Sequence, residues 1–355
     1  MSTNEVTTAG FLPSNKLDDL LSALEDFGRV LVPTKTQGNC TEFLPRSTGD
    51  MDLESVNTRV SAKNWVFPQC TPLFTWSIPY CDTPTLTPPA EVKGTVLFGL
   101  RSCDAKAIKI LDELFIEDTD FDKVNKDALY KERRDKLTLV GMACSTCQPT
   151  CFCSSFEELS PVRANECDMY LTKLAEGYLV EVVTEKGKTI VEKVKEFFAD
   201  GPEDKTKQKE EIGKKTEELQ KHKASPSAAA DGLDKDPAFE HKFWSSLSER
   251  CLGCMACTYL CPTCHCYEIR DEGPGKEGVR YRMHDACMGS EFTLHASGHN
   301  PRTQHFKRWR QRCFHKFSYF PKNLGTPLCV GCGRCTLRCP VGVDIVEILK
   351  EVASF

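Results

Sequence analysis

The chain has 355 residues, a formal net charge of −5 and 40% hydrophobic residues, enough to bury two domain cores but with no basic excess for gripping nucleic acid. No apolar run approaches the roughly 18 to 20 residues that cross a bilayer, and the opening MSTNEVTTAGF lacks a basic segment followed by an apolar one. A cytoplasmic protein without a membrane span is expected.

In chain order, NKLDDLLSALEDF (15–27) carries apolar residues at helical spacing, and RVLVPT follows as a short strand. From Gly94, GTVLFGL reads as a buried strand, RSCD as a turn and AKAIKILDELF as an amphipathic helix; KLTLVGM (136–142) is the next strand. Strand, helix, strand predicts a parallel crossover whose strand ends share one edge of the sheet. Cys103 and Cys144 each follow such an end, so they are expected to be neighbours despite the residues between them. A strand (YLVEVV, 178–183) and a helix (TIVEKVKEFFA, 189–199) close this half.

Residues 201–236 hold almost no large apolar side chains and read as a solvated helix and linker. The expected organisation is an α/β N-terminal domain over 1–200, a charged insert over 201–236, and an α-helical ferredoxin-like domain with two [4Fe-4S] clusters over 237–355.

That last assignment comes from the cysteines. There are 21, and in a long unexported chain they point to metal or redox chemistry rather than to disulfides. Eight form two copies of C-x2-C-x2-C-x3-C-P: Cys251, Cys254, Cys257 and Cys261, then Cys329, Cys332, Cys335 and Cys339. Three thiolates two residues apart let a tight loop wrap one corner of a cubane, a curl that Gly253, Gly331 and Gly333 permit. In two-cluster ferredoxins the fourth cysteine of each run ligates the other cluster. One cluster is therefore assigned to Cys251, Cys254, Cys257 and Cys339, and the other to Cys329, Cys332, Cys335 and Cys261. Structural zinc uses two separated C-x2-C pairs, which this pattern fits badly.

Sixty-seven residues separate the runs, and TQHFKRWRQRCFHKFSYF within them looks helical. His299, His305 and His315 there read as packing or hydrogen-bonding residues rather than ligands, and Arg308, Arg310, Arg312, Arg334 and Arg338 as balancing charge for anionic clusters.

A third site lies in GMACSTCQPTCFCSS, where Cys144, Cys147, Cys151 and Cys153 join Cys103 as five candidates for four positions. The preferred set is Cys103, Cys144, Cys151 and Cys153 on a third [4Fe-4S] cluster; a redox disulfide involving Cys147, or a zinc ion, is the alternative. Pro149-Thr-Cys-Phe-Cys153 is echoed by Pro262-Thr-Cys-His-Cys266. Cys264 and Cys266 read as supporting or packing residues, as do Cys40, Cys70, Cys81, Cys167, Cys287 and Cys313, with Cys287 the first candidate for an exception.

On KNWVFPQ, GLRSCDAKAI, the C-x6-C-x-C at Cys144 to Cys153, HNPRTQ with RQRCFHKFSYFP, and the paired runs, the chain resembles the iron–sulfur β subunits of sulfhydrogenases and the A subunit of anaerobic sulfite reductase. That resemblance implies a subunit lying between a flavoprotein that exchanges electrons with a pyridine nucleotide and a catalytic redox subunit of hydrogenase, sulfite or sulfur reductase, or heterodisulfide-reductase type. The chain lacks a G-x-G-x-x-G turn and a P-loop, so no flavin or nucleotide is expected on it, and its own role is expected to be non-catalytic. Two departures stand out: Cys147 intrudes on a spacer normally free of cysteine, and the 201–236 insert is long. A second reading makes the N-terminal domain a sulfur-compound reductase acting through an open cluster or Cys147.

Overall fold

In the computed structural model, which describes residues 6–38, 40–80, 82–117, 126–163 and 166–355, eleven strands form two sheets. Cys81 lies outside the described residues. The strands are β1 (Thr7–Pro13), β2 (Arg29–Thr36), β3 (Cys40–Pro45), β4 (Cys70–Ser77), β5 (Thr85–Thr87), β6 (Thr95–Leu100), β7 (Leu137–Met142), β8 (Met169–Lys173), β9 (Gly177–Val182), β10 (Tyr267–Glu272) and β11 (Glu277–His284).

The larger sheet runs β1-β9-β8-β7-β6-β2-β3, with β2, β6, β7 and β8 parallel. Every residue of β6 and β7 is buried, as expected for central strands covered on both faces. On one face Val96, Phe98, Val140 and Met142 pack with Leu20, Leu21 and Leu24 of the first helix. On the other, Leu97, Leu100 and Leu139 meet the helix Ser102–Phe115 through Ala105, Ile108, Leu111 and Phe115. The same helix presents Cys103, Ala107 and Ile110, spaced by four and three, to the C-terminal core. One helix therefore serves two cores.

The smaller sheet, β10-β11-β4-β5, is antiparallel and joins the two halves of the chain. The span between the cysteine runs is thus not all helix: it holds the β10–β11 hairpin, and a helical rod only from His305, running through His305–Phe314, a π-helical stretch His315–Tyr319 and Phe320–Leu324. Nor is the insert a free linker. Its helix Lys205–Leu219 has a solvated face, but on the other Thr216 Oγ1 donates to Cys144 O (3.1 Å) and Gln220, just beyond the helix, is 3% exposed. The following helix, Pro226–Leu233, packs on the C-terminal helix Ile345–Ala353, where Gly232 abuts Val352 O.

The halves are pinned by a buried ion pair. Arg334 Nη1 and Nη2 reach Asp104 Oδ1 and Oδ2 at 2.8 and 2.7 Å, with both side chains 2% exposed, while Nε donates to Thr58 O (2.9 Å). Removing one partner strands a charge in the interior, costing about 3–5 kcal/mol, whereas replacing both with apolar groups restores much of the loss. Arg334→Met is therefore expected to lower the urea midpoint strongly and Arg334→Met/Asp104→Leu to recover most of it. A double variant as unstable as the single one would show that the pair does not act as a unit.

Candidate metal centres

The first run curls at the N-terminus of a one-turn helix, Ala256–Tyr259, and the second does the same before Arg334–Leu337. The residue after the second cysteine is left-handed in each: Met255 at φ 62° and Gly333 at φ 71°. Only glycine takes that conformation freely, so Met255 carries local strain of a kind that collects at functional loops.

Around these loops lie two adjoining cavities. Cys251, Cys254, Cys257, Cys335 and Cys339 line the first, against Trp309, Val341, Val343 and Ile348. The second holds Cys261, Cys329, Cys332 and Cys335, with Phe152, Arg312 and Lys316. Cys339 thus opens on the cavity of the first run and Cys261 on that of the second. Backbone N–H groups point at sulfur: Val343 N lies 3.2 Å from Cys339 Sγ and Gly253 N 3.4 Å from Cys251 Sγ. Among the described residues no three Cys, His, Asp or Glu side chains converge as a single ion requires, so the thiols surround spaces rather than points.

Cations line the same spaces. Lys316 Nζ donates to Cys261 Sγ (3.4 Å), Thr263 Oγ1 (3.1 Å) and Leu328 O (2.8 Å); Arg312 donates to Cys257 O (2.7 Å) and Cys264 Sγ (3.4 Å). Of the other arginines, Arg334 serves the ion pair, Arg338 Nη2 reaches Cys40 Sγ (3.7 Å), and Arg310 pairs with Glu240 over the ring of Phe239. Arg308 caps the carbonyls of Met288, Arg302 and Thr303. His305 is partly buried, and His299 and His295 are in ring contact.

Burial pushes the thiols of Cys332 and Cys335 up and that of Cys329 up to about 12. The Cys261 thiol goes the other way, drawn down by its hydrogen bond with Cys264 and by Lys316 and Arg312. A thiol must lose its proton to bind metal, and neighbouring cations favour that loss. The donor set, the apolar walls and the cations together fit a thiolate-bound anionic cluster.

The third candidate set forms where the parallel strands end. Cys103 occupies the first turn of Ser102–Phe115, whose N-terminal dipole favours negative charge, and Cys144 follows β7. Cys103 interacts electrostatically with Cys153, Cys153 with Cys144, and Cys151 with both Cys153 and Cys144. Burial raises all four thiols, Cys153 to about 12. Cys147, half-buried, also interacts with Cys144 and has Lys223 as its charged neighbour.

Three supporting residues escaped the sequence reading. Arg101 is buried and satisfies the carbonyls of Met142, Ala143, Leu53 and Ser55 at 2.5–3.3 Å, placing a cation beside Cys144. Asn57 Nδ2 donates to Cys332 O (2.8 Å) and approaches Cys151 Sγ (3.7 Å), and its Oδ1 lies 3.9 Å from Cys103 Sγ. Gln220 Nε2 meets Cys153 Sγ (3.3 Å) while its Oε1 accepts from Ser154 N (3.1 Å). For Gln220 the available signal was the four-residue spacing Ile212, Thr216, Gln220 inside an otherwise charged segment.

The second run is seated on this third set. Phe152 N donates to Gly331 O (2.8 Å), and at φ +61° Gly331 leaves no room for a side chain: a Cβ would sit 2.6 Å from Cys153 Cα. Gly331→Ala is therefore expected to cost about 1–3 kcal/mol or more by overpacking and to lower iron per chain in anaerobically prepared protein. Gly253→Ala, whose Cβ meets nothing nearer than His305 at 3.8 Å, serves as a control that carries only the backbone cost of φ +71°. Equal losses in the two variants would remove the seating argument.

Residues 250–343 match the family described as a 4Fe-4S dicluster domain. Over 345 residues, covering 96% of this chain and 97% of the relative, the sequence is 32% identical to sulfhydrogenase 2 subunit beta of Pyrococcus furiosus. With the paired thiol loops and cation-lined cavities, that near full-length likeness makes the chain a member of the sulfhydrogenase β-subunit family, an iron–sulfur electron-transfer subunit with a 4Fe-4S dicluster domain.

Proposed function

We propose that the chain is a non-catalytic relay holding three [4Fe-4S] clusters, and that it passes single electrons between a flavoprotein subunit that exchanges with a pyridine nucleotide and a catalytic redox subunit. The observation that carries this reading is contiguity. Cys335 and Arg312 border both dicluster cavities, and Cys332 of the second interacts with Cys103, Cys151 and Cys153 of the third set. The three sites therefore form an unbroken file across the two halves of the chain. Cys251, Cys254, Cys257 and Cys339 are assigned to one cluster; Cys329, Cys332, Cys335 and Cys261 to the next; and Cys103, Cys144, Cys151 and Cys153 to the third.

When bound, such clusters supply one-electron oxidation and reduction at a potential set by charge, hydrogen bonds to sulfur and solvent exposure. The chain's own residues control each of those. Arg312, Lys316 and Arg101 supply positive charge, Val343 N and Gln220 Nε2 donate to sulfur, and Trp309, Val343 and Ile348 exclude water. At one end of the file Cys254 is exposed beside Leu252 (70% exposed) and Val341, an apolar rim suited to a partner subunit. Every cysteine among the described residues is a free thiol, which suits a reducing, cytoplasmic setting. Among the described residues no helix is long and apolar enough to cross a membrane.

The test is anaerobic purification with co-purifying subunits, iron and sulfide counting, and electron paramagnetic resonance of the reduced protein. Fewer than two cubane signals would overturn the relay, and loss of the third alone would remove the N-terminal cluster. Cys339→Ser is expected to abolish the signal of the cluster on the first run and Cys261→Ser that on the second; the opposite pairing would refute the crossed assignment.

A further inference from the structure

Of the nine cysteines outside these sets, the fold gathers three. β10 and β11 pair Tyr267 with His284, so the residues just outside the hairpin meet at its base, where Asp285 N donates to Cys266 O (2.9 Å). Cys287 follows two residues later. Cys264, Cys266 and Cys287 then line one buried cavity with Arg312, Lys316 and His315, the last at the start of the π-helical stretch. Single π-helical turns recur at functional sites.

Two observations point to what fills it. The first is charge. Lys63, Arg312 and Lys316 are 1–3% exposed, and no carboxylate among the described residues pairs with any of them. Lys63 Nζ donates to Cys264 O (2.7 Å), with Cys264, Cys261 and Cys266 as its nearby acids. His284 is also buried, and neither ring nitrogen has a partner. Cations buried without counter-charge are too costly to keep. Arg312 and Lys316 border this cavity as well as the dicluster cavities, and Lys63 reaches the group through the carbonyl of Cys264. A Cys266–Cys287 disulfide would be neutral and would leave that charge unmet.

The second observation is a repeated turn. Cys151 N donates to Gln148 O and Cys264 N to Cys261 O, each three residues back, so Pro-Thr-Cys-Phe-Cys153 and Pro-Thr-Cys-His-Cys266 follow the same turn. In the first copy, on the reading above, both cysteines serve a cubane.

We propose that Cys264, Cys266 and Cys287 bind a further [4Fe-4S] cluster, with the imidazole of His315, which makes no hydrogen bond among the described residues, on the fourth iron. The inference rests partly on the third-cluster reading, so the experiment separates them. In anaerobically purified full-length chain, about sixteen irons are expected, and Cys287→Ser and Cys264→Ser are each expected to remove about four while the dicluster signals persist. Cys153→Ser is expected to remove a different four or so, with its own signal. Loss from Cys153→Ser but not from Cys287→Ser would overturn this site and leave the third cluster standing; the reverse would do the opposite. Should the variants fail to fold, Mössbauer counting of the wild-type chain decides, about twelve irons or fewer overturning the site. A Cys266–Cys287 disulfide in peptide maps would also overturn it. His315→Cys is expected to keep the cluster and lower its midpoint potential, because imidazole ligands raise potentials relative to thiolates; an unchanged potential would overturn the imidazole ligand.

Discussion

The structure depends on how closely the 331–333 backbone lies on the 150–153 backbone. Gly331 and Gly333 are pressed against Cys153 and Thr150 so tightly that neither position admits a Cβ, and the buried Arg334–Asp104 pair clamps the contact from the side. A loop that wraps metal cannot usually also be a packing surface, because its curl is set by the metal. Here the left-handed glycines let the candidate ligand loop serve as a packing surface as well. The two candidate sites are held at a fixed separation by backbone rather than by side chains, which are softer.

Charge is the second organising constraint. The sites are ringed by Arg101, Arg312, Lys316 and Lys63, with carbonyls, hydroxyls and thiols as their partners. The imidazoles nearby are neutral: burial draws His265 and His284 down to about 3 and His315 to about 4. Burial draws Lys63 down to about 8, so its charge follows proton concentration, whereas Arg312 and Lys316, though buried, are held above their usual values by the surrounding thiols and stay positive at any physiological pH.

Much of this was legible in the chain itself. The paired C-x2-C-x2-C-x3-C-P runs specify loop curl and ligand type together, and GTVLFGL and KLTLVGM are apolar throughout because both sheet faces are covered. Less visible was the hairpin Tyr267–His284, whose first strand is exposed along its length and alternates only from Tyr267 to Arg270. The helix Lys205–Leu219 was expected but its anchoring was not: that side is made of Ile212, Thr216 and Gln220, of which only one is apolar, so composition reported the outer face alone. Asn57 and Arg101 act through hydrogen bonds to backbone distant in the sequence, contacts that leave no periodic trace.

The smaller sheet bears on how such a protein can be assembled from parts. β11 pairs on one side with β10 of its own half and on the other with β4 of the first. Cut between the halves, that edge would bare a ladder of unpaired backbone groups, open to whichever strand arrived next. The dicluster unit is thus not a cartridge that a genome can lift out and fuse elsewhere unaltered: a new host must bring a strand of its own to close the sheet.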